Sequence, residues 1–525
     1  MERPLSGFFN ADLARRAGFI ETVVRPPSPA SPDPLITGLE YDSRRIKPGN
    51  IYFALPGLHA DGHAFIPDAV KAGAAAIIHQ DEPPVYREGI PHIRVRDSRF
   101  AMSPVADAFY GSPSRDLGLI GVTGTEGKST TVYLIYQLLR LAGKKTGFIS
   151  TVQYSGGGEE QWNPEHQTTP EAPAVHRFLD EARRNGAEYV VLEASSHGLS
   201  PRTNRLGDAA FDVGVMTNVT HEHLEFHGTW EQYREDKANL FRALDRWDHH
   251  KGTKTVPSFG VVNADDKSAP YFAARTRRRS YTFSVRGAPA DLSLQSLESL
   301  PGGNRYTVLP GKGEKTLSIR DRLPGAFNAG NTLAALLTVS ALLSVPAGEL
   351  IPLIPSLKPV RGRMTPVIRG QPFEVLVDYA HTPSSFQTIF PPLRERIKRR
   401  GGRILSLFGS AGERDTRKRP EQGRIASAWS DLVFLTDEDP RGEDPVRILE
   451  EIARGCPERK PGEDIFIIPH RPAAVRKALS LARPGDLVLL LGKGHENSII
   501  YARETLAYDE IGEAEGALAE LGWRG

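Results

Sequence analysis

A chain of 525 residues set against roughly 150 residues per domain holds about three or four domains, which excludes a single compact core. Hydrophobic residues at 39% and charged residues at 25% lie in the ordinary globular range and exclude a disordered composition. The 66 basic and 64 acidic side chains nearly cancel, leaving +2, so bulk electrostatics gives no ground for a nucleic-acid partner. The single cysteine, Cys456, cannot form an intrachain disulfide and argues for a reducing compartment.

The opening stretch MERPLSGFFNADLARRAGF has no apolar core of a secretory signal, and the longest apolar runs are far short of the roughly 20 residues of a membrane span. A soluble cytoplasmic monomer with no membrane segment is expected. After a Pro/Ser-rich stretch, the segment to about Tyr110 carries short β-like runs and an Ala-rich helical run, Asp68 to Ala76, before GSPSRD (Gly111 to Asp116) reads as a linker. From Leu117, LGLIGV, a helix to Leu141, YVVLE, FDVGVMT and FGVVN alternate strand with helix and predict a mostly parallel, covered sheet. A seam near Pro355 to Pro359 follows the apolar helix Thr332 to Leu343. Beyond it FEVLVDYA, RILSLFG, DLVFLT, DIFIIP and DLVLLLG restart the same alternation. The expected fold class is α/β in three domains: a small N-terminal α/β domain (1–115), a central P-loop-type, mostly parallel domain (116–357) and a C-terminal Rossmann-like domain (358–525). The basic runs Arg275 to Arg279 and Arg394 to Arg400 read as solvated surface.

The strongest chemical signal is GVTGTEGKST, Gly121 to Thr130, which follows an apolar strand and opens a helix. Gly124, Thr125, Glu126 and Gly127 let backbone wrap around phosphates, Lys128 supplies a cation, Ser129 a hydroxyl for magnesium, and Thr130 lies in the helix's first turn. A strict Walker A places glycine where Val122 stands, so the loop is a variant. Glu193 in EASSH and His223 in THEH end the next two strands, at the crevice where doubly wound sheets bind ligands, and both suit a hard metal beside phosphates. Zinc on His221, His223 and His227 is possible by spacing, but magnesium matches a nucleotide site better. On spacing alone, Lys237 is an ordinary salt-bridge lysine.

These segments resemble the Mur ligases, ATP-dependent amino-acid ligases of peptidoglycan precursor synthesis. GVTGTEGKST is similar to the family's ATP loop, in which Asn commonly stands at Glu126. EASSHGL and TNVTHEHLEFHGTWEQYREDKANLF are similar to its metal-binding and carbamyl-lysine segments, and VVNADD, GAFNAGN, GRM, VDYAHTP and GKGHE follow in family order. The resemblance implies ATP and Mg2+, with Ser129 and Glu193 at one ion, His223 and Lys237 (as N6-carboxylysine) at a second, and Lys128, Lys237, Glu193 and His223 catalytic. It places Asn328, Arg363, Asp378 and His381 at ATP, although Arg361 replaces the proline usual before Gly-Arg.

The first and last segments are similar to the branch that adds the third amino acid to UDP-N-acetylmuramoyl-L-alanyl-D-glutamate. That likeness puts Ser43, with Leu58 and His59 nearby, and Thr168, Thr169, Ser195 and Arg205 at the UDP substrate. The segment led by His166 normally begins with Asn, and Arg202 competes with Arg205 for the customary arginine. Arg414, Asp439, Arg441, Gly492 and Glu496 fall at the amino-acid positions. Glu438-Asp439-Pro440-Arg441 replaces the usual Asp-Asn-Pro-Arg; Arg441 favours meso-diaminopimelate, whereas the added charge of Asp439 admits L-lysine or L-ornithine. A folylpolyglutamate synthetase-like ligase and a P-loop kinase or NTPase are the rival readings.

Overall fold

The computed structural model describes the chain except residues 1, 24–32, 58–59, 83–88, 164–166, 221–223, 252–253, 301 and 312–314. Two units are formed, one from Met1–Ser293, Pro310–Glu314 and Asn331–Leu353, the other from Leu294–Leu309, Lys315–Gly330 and Ile354–Gly525. Both are α/β.

The first unit opens with helix α1 (Ala11–Arg16), β1 (Phe19–Val23), β2 (Gly38–Glu40), β3 (Asn50–Phe53), helix α2 (Ile66–Lys71), β4 (Ala76–His79), β5 (His92–Val95) and helix α3 (Ser98–Phe109). The strands order as β1-β5-β4-β3-β2, with only β1 antiparallel. Phe53, Ile78, Ile93 and Val95 bury one face against Ala101, Met102 and Val105 of α3. The Asp68 to Ala76 stretch is not one helix. It ends at Lys71, turns where Gly73 N–H donates to Val70 O, and enters β4 at Ala76. An Ala-rich run satisfies either state, and burial on both faces of Ala76–His79 decides for strand.

The same unit continues through β6 (Gly118–Thr123), helix α4 (Lys128–Leu141), β7 (Thr146–Ile149), helix α5 (Ala172–Arg184), β8 (Tyr189–Glu193), helix α6 (Ser196–Leu199), β9 (Val213–Met216), helix α7 (Trp230–Ala243), β10 (Phe259–Asn263) and β11 (Ser280–Ser284). Their order is β7-β8-β6-β9-β10-β11, all parallel. On one face Leu119, Val190 and Leu192 pack with Phe178 and Leu179 of α5 and Leu240 and Phe241 of α7. Ile120, Val122, Val191 and Val215 are equally buried on the other, as a parallel sheet covered on both sides requires. Gly121, Gly214 and Gly260 stand side by side across β6, β9 and β10. A Cβ at Gly121 would lie 2.5 Å from Leu240 Cδ1, and one at Gly260 2.7 Å from Phe241 Cε1, so this bare strip seats α7.

The GSPSRD stretch is a 3-10 turn, Pro113–Arg115, with Pro113 and Ser114 buried. Lys251 Nζ donates to Ser114 O and Ala210 O at 2.9 and 3.0 Å and lies 3.3 Å from Asp212. Arg16 Nη2 donates at 2.7 Å to both the buried Asp107 and Asp208.

The second unit contains β12 (Gly303–Pro310) and β13 (Leu317–Asp321), an antiparallel hairpin, and the first turn of helix α8 (Phe327–Leu343). It continues with β14 (Thr365–Pro366), β15 (Glu374–Asp378), helix α9 (Pro383–Lys398), β16 (Ile404–Phe408), helix α10 (Lys418–Trp429), β17 (Leu432–Leu435), helix α11 (Pro445–Ala453), β18 (Ile465–Ile467), helix α12 (Arg471–Ser480), β19 (Leu487–Leu491) and helix α13 (Glu510–Glu520). Strand order is β14-β15-β19-β16-β17-β18, with only β14 antiparallel. Pro445 opens α11 with Asp444 as its cap, the first-turn place where a missing N–H costs nothing. Arg394 and Arg396 are not simply solvated: they pair with Asp431 and Glu374. Among the described residues, no single helix is long and apolar enough to cross a membrane.

Removing the Arg16 fork strands a buried carboxylate at Asp107, which costs roughly 3 kcal/mol. Arg16→Met is therefore expected to lower the urea midpoint of unfolding; an unchanged midpoint shows that Ser112, whose hydroxyl donates to Asp107 at 3.1 Å, and Arg115, 3.8 Å from it, carry Asp107 without Arg16.

Candidate active site

The phosphate cradle lies at the C-terminal end of β6. Gly127 caps α4 with φ +82°, and Gly124 has φ +153°, so both adopt backbone that side-chain-bearing residues rarely reach. A Cβ at Gly124 would fall 1.9 Å from Thr217 Oγ1, and one at Gly127 2.5 Å from Asn331 Oδ1. The loop is held from β9's end: Asn218 Oδ1 accepts from Glu126 N–H at 2.9 Å, and Thr217 Oγ1 and Asn218 Nδ2 donate to Glu126 O at 2.6 and 3.1 Å. These contacts use only the backbone of residue 126, which explains how Glu stands where the family commonly has Asn. Lys128 Nζ donates to Thr125 O at 2.7 Å, and Thr130 is buried in the first turn of α4.

Glu193, buried at the end of β8, accepts through Oε2 from Ser129 Oγ at 2.9 Å and from Thr151 N and Oγ1 at 2.8 and 3.0 Å. The Ser129 hydroxyl and Glu193 carboxylate are hard oxygen donors beside the cradle, so they fit a magnesium ion. Lys237 is 1% exposed; its Nζ donates to Gly124 O, a backbone carbonyl of the loop, at 2.6 Å and lies 4.4 Å from the centre of the Tyr233 ring. Among the described residues no group of three or more His, Cys, Asp or Glu side chains gathers around a point. His223 and His221 lie outside the described residues. His227 does not serve zinc: it is buried, with Nδ1 2.8 Å from Asp236 Oδ2 and Nε2 3.0 Å from Ser196 Oγ.

Thr169 Oγ1 donates to Glu193 O at 2.8 Å and is 2.9 Å from Ser195 Oγ, so these two candidates are joined to the strand that ends in Glu193. Arg205 Nη1 donates to Thr169 O at 2.7 Å and Nη2 to Glu171 at 2.9 Å, while Arg202 turns to Phe226 O. The structure therefore brings Arg205, not Arg202, to Thr169 and Ser195. Thr168 is half-buried next to Thr169, and Ser43 opens a 3-10 turn capped by Asp42. Leu58, His59 and His166 lie outside the described residues.

In the second unit, four segments converge on the ends of β15 and β19. Asp378 is buried and accepts from Met364 N and Ala380 N at 2.7 Å each; burial pushes its carboxyl up, and Arg363 opposes this. Arg363 lies 4.6 Å from the centre of the Tyr379 ring. His381 shares its Nδ1 with Tyr379 O at 2.9 Å, and burial brings the imidazole down to about 4, so the ring is neutral at pH 7. A Cβ at Gly362 would lie 2.2 Å from the Gly494 carbonyl carbon, which locks GRM against GKGHE. Asn328 Nδ2 donates to Pro324 O, holding the turn that starts α8. Arg361, in the proline position, bonds both oxygens of Asp509.

Asp439 does not bring an uncompensated charge. Its Oδ1 accepts from the buried Lys493 Nζ at 2.9 Å and from Ile500 N at 2.9 Å, and Lys493 also reaches Glu496 at 2.6 Å. Arg441 has φ +54°, and its buried Nε has no hydrogen-bond partner. Arg414 is exposed. Gly492 faces Glu438, whose Oε2 a Cβ there would meet at 2.8 Å. Sequence reasoning passed over Glu438, a fully buried carboxyl pushed up by burial whose Oε2 has no hydrogen-bond partner. It also passed over Lys493, Glu171, Thr151 and Asn218. Glu438 was detectable as the residue in place of the motif's first Asp; the others show only when strands pair.

A parallel sheet whose central strand ends in this loop defines a phosphate-binding α/β protein of the P-loop type. Family models for the Mur ligase family catalytic domain, the Mur ligase middle domain and the Mur ligase glutamate ligase domain match residues 35–110, 122–339 and 362–494. The chain is 52% identical over 495 residues to a UDP-N-acetylmuramyl-tripeptide synthetase of Treponema denticola, covering 91% of this chain and 92% of that one. A protein of the same name from Roseiflexus is 46% identical, with 94% and 96% covered. A Geobacillus thermodenitrificans UDP-N-acetylmuramoyl-L-alanyl-D-glutamate--2,6-diaminopimelate ligase is 37% identical, with 93% and 96% covered. A solved structure titled as a diaminopimelate ligase of that kind superimposes with TM-score 0.61 at 26% identity, over 96% of this chain and 100% of that one. The chain belongs to the Mur ligase family.

Gly127→Ala places a methyl on Asn331 in a backbone state alanine resists. Binding of a fluorescent ATP analogue is expected to fall below detection while the circular dichroism spectrum is unchanged; normal binding shows that the loop tolerates the side chain.

Proposed function

We propose that this chain is an ATP-dependent ligase of peptidoglycan precursor synthesis, which joins meso-diaminopimelate to the D-glutamate of UDP-N-acetylmuramoyl-L-alanyl-D-glutamate. The observation that carries this reading is the 52% identity to a tripeptide synthetase over 91% of the chain. The reading assigns residues 1–115 to the UDP substrate, 116–357 to ATP and 358–525 to the amino acid. It also carries a cytoplasmic location, since ATP and a nucleotide-linked precursor are its substrates.

The chemistry runs in two displacements. An oxygen of the D-glutamate γ-carboxylate attacks the γ-phosphorus of ATP; the bond to the bridging oxygen breaks, its electron pair leaves on ADP, and an acyl phosphate results. The amine nitrogen of the incoming amino acid then attacks the acyl carbon, the carbon–oxygen bond to phosphate breaks, inorganic phosphate leaves and the amine loses a proton. Such phosphoryl transfer is chiefly positioning and charge neutralisation. Gly124 to Gly127 hold the phosphates, Lys128 moves from Thr125 O to the transferring group, and Arg205, braced by Glu171, orients the acceptor carboxylate beside Thr168, Thr169 and Ser195. Ser43 contacts the uridine end. Ser129 and Glu193 would hold one Mg2+ and His223 and carbamylated Lys237 a second, and the ions would supply neutralisation of phosphate charge. Carbamylation of Lys237 would turn a cation into an oxygen anion that suits magnesium.

Asn328, Arg363, Asp378 and His381 meet the nucleotide's other face; Arg414, Asp439, Arg441, Gly492 and Glu496 receive the amino acid. Arg441 suits a carboxylate bidentately. Lys493, shared between Asp439 and Glu496, offsets part of the charge that Asp439 adds, and Arg441 is the group that favours diaminopimelate, with its second carboxylate, over lysine or ornithine.

ADP and tripeptide formation, measured with each of the three amines, is expected with diaminopimelate alone. Product mainly with lysine or ornithine keeps the ligase and reassigns its specificity; no product with any amine supports a folylpolyglutamate synthetase-like enzyme or a kinase. Lys128→Ala is expected to lose turnover with the fold retained. Lys237→Ala is expected to lose activity and to recover part of it in millimolar acetate or formate; full activity without rescue counts against the carbamate.

A further inference from the structure

The amino-acid recognition residues follow two strands that do not pair with each other. Asp439 and Arg441 follow β17, and Gly492 and Glu496 follow β19, with β16 between those strands. Their separation is not set by a shared ladder of hydrogen bonds.

Lys493 links their side chains, Asp439 to Glu496, and a second, fully buried side chain ties their backbones. Arg471, the first residue of α12, is 0% exposed. Its Nη1 donates to Asp437 O at 3.0 Å and its Nη2 to Leu491 O at 2.7 Å. Asp437 is two residues before Asp439, and Leu491 immediately precedes Gly492. The third edge of the guanidinium, Nε, donates to Glu510 Oε2 at 2.7 Å, and that carboxylate is equally buried at the start of α13. A planar guanidinium with donors on three edges fixes both distance and orientation between its acceptors, which an ammonium on a flexible stem does not.

We propose that Arg471, held by Glu510, is a positioning residue for the incoming amino acid: it sets the gap between the two recognition strand ends. The proposal rests on the reading of those ends as the amino-acid site. It goes beyond that reading in assigning the geometry of the site to a pair that no substrate atom touches. A buried ion pair is by itself weak evidence for stability; here each remaining donor of the pair lands on a carbonyl next to a recognition segment.

The test is steady-state kinetics of the full chain with each substrate varied in turn. Arg471→Gln and Glu510→Gln are each expected to raise KM for the amino acid about tenfold or more, with KM for ATP and for the UDP substrate within about twofold of the parent. Arg471→Lys, which keeps the charge without the fork, is expected to stay as impaired as Arg471→Gln. Full rescue by lysine overturns the proposal, as do equal shifts in all three KM values or loss of fold in both glutamine variants, since each of these describes a merely structural pair. Arg441→Ala is the control: if it leaves the amino-acid KM unchanged, the site reading fails and the proposal with it. If it raises that KM while the Arg471 and Glu510 variants do not, only the positioning role fails.

Discussion

The close seating of α7 on the central sheet is the contact on which the candidate site depends. Gly121, Gly214 and Gly260 lie in register across three strands, and Leu240 and Phe241 occupy the space their side chains would have taken. Tyr233 and Lys237 precede Leu240 and Phe241 by the three- and four-residue steps that keep side chains on one helical face. That face runs from the sheet to the loop: Tyr233 OH lies 3.1 Å from Thr125 Oγ1, and Lys237 Nζ reaches Gly124 O. The depth of the helix on the sheet therefore places the lysine that the proposed mechanism needs as a metal ligand.

In the second unit the corresponding task falls to polar side chains that bind backbone. Asp378 gathers Met364 and Ala380, Asn304 Nδ2 donates to Leu323 O and Gly325 O ahead of Asn328, and Arg471 gathers Asp437 and Leu491. The backbone groups they bind lie at or beyond strand ends, where the ladder stops and carbonyl and N–H groups need other partners. Asp378 is also one of the residues that the proposed function places at the nucleotide, so there one buried carboxylate both gathers backbone and faces the site.

Much of this was legible in the sequence because it is local. Glu374–Asp378, Ile404–Phe408, Leu432–Leu435 and Leu487–Leu491 are strands where apolar runs predict them, and Lys128–Leu141 is the helix expected behind the glycine loop. The Mur ligase resemblance read from ordered motifs stands with the relatives. What escaped is pairwise and distant. Nothing in DEDPR announces that Lys493 neutralises Asp439, since 54 residues separate them, and the choice of Arg205 over Arg202 turns on Glu171, which belongs to another helix's cap. The Asp68 to Ala76 error is of a different kind, because alanine fits helix and strand alike and only burial on both faces separates them.

The stretch from Gly111 to Asp116 has the composition of a linker yet behaves as a rivet. Ser114 accepts from Lys251 through its carbonyl and from Ala210 N–H through its hydroxyl, Lys251 leans on Asp212, and Asp212 in turn accepts from Leu119 N–H and holds His249. Arg16 adds a second tie, from the first helix to Asp208 beyond β8. Pulling this stretch away from the central sheet therefore uncovers the buried Lys251 and Asp212 together, which couples the stability of the turn to that of the sheet it lies against.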